Sequence, residues 1–175
     1  MELLQKLEHV ILRWVKNVPH LPVSLRRWLG VNIWWIILIG VIINGIWILF
    51  QIVGIFGMIA FLGSPGATYQ IVSTITSWSI VTSTVGTFFT IVVTILSGLA
   101  IQPLQSRLKK GWVLLFSAWL VSIIGVIVGA VLSLNPVFFV INLLFGAIFT
   151  TFLGYVLFEL HGQFAHEPKK TKTRR

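Results

Sequence analysis

Glu159 and His161, with His166 and Glu167 close behind, form the densest group of residues in this chain that could ligate a metal or move a proton. A carboxylate beside an imidazole can act as acid and base, and both are metal ligands. Their spacing matches no established ligand or catalytic pattern, and a solvated helix end accounts for it. Glu159 alone stands out, because it follows directly on an apolar run; Arg107, Lys109 and Lys110 are its expected ion partners. Glu2, Glu8, His9 and His20 all precede the first apolar run. The chain has no cysteine, which excludes disulfides, thiolate nucleophiles, Fe–S clusters and cysteine-based zinc sites. From Trp28 to Ser106, and again from Gly111 to Phe158, there is no Asp, Glu, His, Lys or Arg. Neither stretch can relay protons, bind a coupling cation through a carboxylate or give a serine its base. No Gly-x-x-x-x-Gly-Lys phosphate loop occurs either. The expectation is a non-enzymatic protein with no catalytic, metal-binding or cofactor-binding residues.

The two charge-free stretches define the elements that position everything else. Apolar residues make up 57% of the 175 residues and charged residues 10%, where a soluble domain carries about 25% charged residues. Long uncharged apolar runs separated by basic loops specify a chain dissolved in a bilayer. The predicted fold is all-α and polytopic: four transmembrane helices with an N-terminal amphipathic interfacial helix. The spans fall at about residues 33–62, 78–101, 112–134 and 137–158. Around them the chain divides into a cytoplasmic amphipathic helix and Pro linker (1–22), a four-span bundle (23–160) and a basic cytoplasmic tail (161–175). Leu3, Leu7, Val10, Ile11 and Trp14 share one face of the amphipathic segment, which suits a helix lying in the headgroup plane. Pro19 and Pro22 end it. As a helix, the first span measures about 45 Å against a hydrocarbon core of about 30 Å. It must tilt, protrude or break, and Gly54 and Gly57 mark the place for a break. Gly63-Ser64-Pro65-Gly66 and Asn135-Pro136 are turn signals. The first apolar run starts too late and runs too long to be the core of a cleavable leader, so none is expected.

Basic residues set the orientation. Of the thirteen Lys and Arg, five precede Trp28, three are Arg107, Lys109 and Lys110, and five follow Pro168. The two connections on the other side hold none. An even number of spans puts both termini on one side, and the charge bias makes that side the cytoplasm of a multi-pass cell-membrane protein. The net charge of +9 therefore points to topology and anionic lipid, not to nucleic acid. Lys109, Lys110, Lys169, Lys170, Lys172, Arg174 and Arg175 are the lipid-contact candidates.

Helices in lipid associate through close packing and interhelical hydrogen bonds, since lipid tails give them no hydrophobic drive. Each span carries a stripe suited to this. Ser83, Thr87, Thr90, Thr94 and Ser97 alternate steps of four and three in the second. Gly125 and Gly129 lie within the third stripe, Asn142, Gly146, Thr150 and Gly154 form the fourth, and Asn44 and Gln51 belong to the first. A carboxamide in hydrocarbon needs partners, so Asn44, Gln51 and Asn142 are expected in the bundle interior with Thr87, Thr90 and Thr94. Gly125, Gly129 and Gly146 are expected to pack helix on helix.

The segments LSGLAIQPLQSRLKKGWVLLF and PHLPVSLRRWL resemble stretches of small uncharacterised four-span bacterial integral membrane proteins. Lys109, Gly111, Trp112, Leu114, Leu115 and Phe116 carry the likeness at the start of the third span. The resemblance implies no activity. The role expected is structural or accessory, with a basic cytoplasmic face touching anionic lipid or a partner, the partner being a second copy or another membrane protein. The alternative is a small transporter or channel subunit for a neutral or weakly polar solute. A polar cavity around Asn44, Gln51 and Asn142 would mark the second.

Overall fold

A computed structural model describes residues 20–64, 70–133 and 136–164. The amphipathic segment at residues 2–17, read as an interfacial helix, and the basic tail lie outside the described residues. The described chain forms four helices: α1 (Val23–Leu62), α2 (Gln70–Gln105), α3 (Lys109–Leu132) and α4 (Pro136–Phe164). All four are long and apolar enough to cross a membrane.

The helices outlast the apolar spans read from the sequence. α1 has 40 residues, about 60 Å at 1.5 Å each. It begins ten positions before residue 33 and carries Arg26, Arg27 and Trp28 in its first two turns. It runs as one continuous helix through Gly54 and Gly57, so of the alternatives of tilt, protrusion or break, the chain does not break there. Both glycines have open space around them. α2 runs through Pro103, where the sequence suggested it would stop. Proline forfeits one backbone bond and crowds the preceding turn. The helix closes two residues later in a Schellman cap, with the Arg107 N–H donating to the Leu104 carbonyl (2.9 Å) and the Leu108 N–H to Pro103 (2.8 Å). Arg107 holds the left-handed position of that cap, with φ 54°. Pro136 opens α4, as its missing N–H permits.

Neighbours in sequence pack as neighbours in space: α1 on α2, α2 on α3, and α3 on α4, while α1 and α4 meet only narrowly. The contiguous core lies at one end, where Ile33, Leu104, Trp112, Phe116, Leu160 and Phe164 are buried together. Toward the other end, α1 and α4 expose Ile, Leu, Phe and Trp over most of their surface, as helices bathed in lipid do. On α1 a less exposed stripe runs Ile37, Val41, Asn44, Ile48, Gln51, Ile55 and Met58, alternating four and three. That is the spacing of a helix–helix seam.

Candidate functional site

Trp112 opens the third helix and organises the buried end. Its ring stacks on Phe116 at 5.3 Å between centroids and meets Phe158 and His161 edge-on. Its indole N–H donates to the Leu157 carbonyl of α4 (3.0 Å). Two turns on, Trp119 repeats the device with the Thr150 carbonyl (2.7 Å). Gly154 makes this approach feasible: a Cβ there would sit 2.7 Å from the Trp119 ring. At the head of α3, a Cβ on Gly111 would sit 2.7 Å from the Leu104 nitrogen. Only glycine lets the α2–α3 connection turn this tightly.

Glu159, next to Phe158 on α4, is buried at 6% exposure. Its partners come from the segment that leads into α1. His20 Nδ1 lies 2.7 Å from one carboxylate oxygen. The Leu21 N–H donates to the other (3.3 Å), and Arg26 Nε stands 3.6 Å from it. Arg107, Lys109 and Lys110, the partners expected from the sequence, are not the ones it meets. A buried carboxylate needs hydrogen bonds and countercharge, and the start of α1 supplies both. The result is a clasp joining the first turn of α1 to the last turns of α4. A carboxylate–imidazole pair is also part of a hydrolytic triad, but among the described residues no hydroxyl is bonded to His20.

Two openings flank the clasp. A cavity of about 200 Å3 is lined by Arg27, Gly30, Val31, Arg107 and Gln163. It brings α1, the α2–α3 connection and α4 to one place. On another face of α1, a groove of about 600 Å3 separates α1 from α4. Leu25, Leu29, Ile33 and Ile36 form one wall and Leu153 and Val156 the other, over a floor that includes Ser97, Ala118 and Ser122.

The residues singled out in the sequence fall into three groups. Thr87 is buried at 5% exposure, and Asn44, Gln51, Thr90 and Thr94 are half-buried along the α1 and α2 stripes. The hydroxyls of Thr87, Thr90 and Thr94 each donate to the carbonyl one turn back, at 2.8, 3.0 and 2.7 Å. Gly125 packs under Phe89, with 3.2 Å to a Cβ placed there, and a Cβ on Gly146 would overlap Val126. Gly129 and Asn142 depart from expectation. Gly129 is exposed, with nothing within 4 Å of a Cβ, and Asn142 lies on the exposed outer part of α4. A stripe defined by spacing continues along the whole helix, but contact ends where the helices diverge. Lys109 and Lys110 are exposed at the start of α3. Lys169, Lys170, Lys172, Arg174 and Arg175 lie outside the described residues. The sequence does not single out His20, Arg26 or Arg27 as site residues, and it offers Arg107 only as a partner for Glu159. The signal for the first two was a single acid at the end of an apolar span, which must find cations somewhere.

Four apolar helices of spanning length, packed in sequence order, define a multi-pass integral membrane protein of the helical-bundle class. Comparison of the chain with known protein families, with curated proteins and with solved structures finds no match. The likeness carried by Lys109–Phe116 thus stands without a family behind it.

Proposed function

We propose that this chain is a non-enzymatic accessory protein of the cell membrane whose basic end faces the cytoplasm and contacts anionic lipid. One observation carries the reading. Every Lys, Arg, Asp and Glu among the described residues — Arg26, Arg27, Arg107, Lys109, Lys110 and Glu159 — sits at the same end of the bundle. Cations outnumber the single carboxylate there, and an anionic leaflet attracts such a face by about 1 kcal/mol per Lys or Arg near its surface. Among the described residues the opposite end carries no charge to compete for that leaflet. The transport alternative has less support, because none of Asn44, Gln51 and Asn142 lines the apolar groove. The full chain should unfold at a higher temperature in nanodiscs containing phosphatidylglycerol than in nanodiscs of phosphatidylcholine alone. The difference should shrink as salt shortens the Debye length from about 10 Å at 0.1 M to about 3 Å at 1 M. Equal unfolding temperatures in the two bilayers at low salt would remove the lipid-contact reading.

A further inference from the structure

We infer that Arg27 and Arg107 form a two-armed site for a phosphate group, supplied in the membrane by an anionic lipid headgroup. The inference rests on the reading of the basic end as a lipid-contacting face and gives that face a specific site. Both arginines line the same cavity of about 200 Å3, with Gly30, Val31 and Gln163 completing its wall. A cavity of this size takes a headgroup phosphate and leaves the acyl chains in the bilayer beside α1.

Among the described residues no carboxylate lines this cavity. Glu159 is the only carboxylate among the described residues, and His20, the Leu21 N–H and Arg26 occupy it. Arg27 and Arg107 therefore face one space with no described acid between them. Two like charges repel across such a space, and a shared anion turns the repulsion into attraction. Guanidinium groups suit phosphate because each presents a planar fork of donors.

The backbone at Arg107 adds an independent observation. Its φ of 54° places it in the left-handed region, at the cap position that glycine fills most often. An arginine there costs stability that glycine would not. Arginine keeps at this position a side chain that glycine would lack, and Arg107 lines the cavity together with Arg27. Gly30 serves the same geometry: a Cβ there would press on the Gln163 side chain at 3.1 Å, so glycine lets α1 and α4 meet behind the cavity.

The test measures binding of phosphatidylglycerol, phosphatidylcholine and inorganic phosphate to the full chain in a neutral detergent, by native mass spectrometry. Arg27→Gln and Arg107→Gly are compared with the double substitution Lys109→Gln and Lys110→Gln, which removes charge from the same end without touching the cavity. Each arginine variant should weaken phosphatidylglycerol binding about tenfold, the worth of one charge-assisted contact. The double lysine variant removes two charges of the same face and should still weaken it clearly less than either single arginine variant, because exposed, solvated charges contribute less than a shared site. Arg107→Gly should unfold at an equal or higher temperature, so its binding loss cannot come from unfolding. Equal losses in all three variants would overturn the site and leave a diffuse basic face standing. Failure of the unsubstituted protein both to prefer phosphatidylglycerol over phosphatidylcholine and to bind inorganic phosphate would overturn both. Arginine-dependent binding of inorganic phosphate without lipid binding would support the phosphate site and overturn the lipid as its source.

Discussion

Glu159 takes all of its partners from one short stretch of chain, His20 to Arg26, that lies far from it in sequence. Removing its side chain leaves the Leu21 N–H without its acceptor and Arg26 without its countercharge. Arg26 Nε is already buried without a well-formed hydrogen bond. Glu159→Ala should therefore lower stability by about 1–3 kcal/mol, the cost of stranding buried polar groups. Glu159→Gln keeps an oxygen for Leu21 and should cost less. Thermal unfolding in detergent reads both, and an alanine variant as stable as the glutamine variant would mean that the clasp holds nothing. Arg107 argues in the other direction. Arg107→Gly relieves a left-handed residue and should raise stability by about 1 kcal/mol; a fall in unfolding temperature would show that the arginine side chain supports the cap.

At the scale of helices, the small residues divide into those that hold a seam and those that only share its spacing. Gly146 sits against Val126, and Gly154 sits under Trp119, while Gly129 faces open space. Gly154→Leu should cost about 1–3 kcal/mol through overpacking, and Gly146→Leu a similar amount. Gly129→Leu should stay within about 0.5 kcal/mol, as substitutions away from packed features do. If Gly129→Leu proves as damaging as Gly154→Leu, α3 presents a different face to its neighbours. The number and type of elements were legible in the sequence, because an apolar run free of charge over the width of a bilayer has few other solutions. The ends of α1 were not, since a helix continues past the hydrocarbon wherever Arg26 and Arg27 can reach water. Nor were Asn142 and Gly129, because periodicity gives the face of a helix and not the depth at which its neighbour departs. The partners of Glu159 were hidden for a related reason: Arg107 and Lys109 are nearer in sequence, and only the packing of α4 against the start of α1 favours His20 and Arg26.

The whole molecule is tight at its charged end and open at the other. The aromatic core and the Glu159 clasp join the helices where Arg26, Arg27, Arg107, Lys109 and Lys110 also gather. Away from that end α1 and α4 part, and the groove of about 600 Å3 between them opens beside the clasp, at Leu21 and Leu160, and is walled largely by Leu and Ile side chains. In a bilayer such a groove faces lipid, and the apolar surface exposed along both helices does the same. Which side of the membrane receives the charged end decides what that end can contact. The chain has no native cysteine, so single cysteines report without interference. Cysteine in place of Gln70, at the start of α2, should react with a membrane-impermeant maleimide on intact cells. Cysteine in place of Leu108, in the α2–α3 connection, should react only after the membrane is opened. Labelling of Leu108→Cys but not Gln70→Cys on intact cells would invert the molecule and contradict the assignment of its basic end to the cytoplasm.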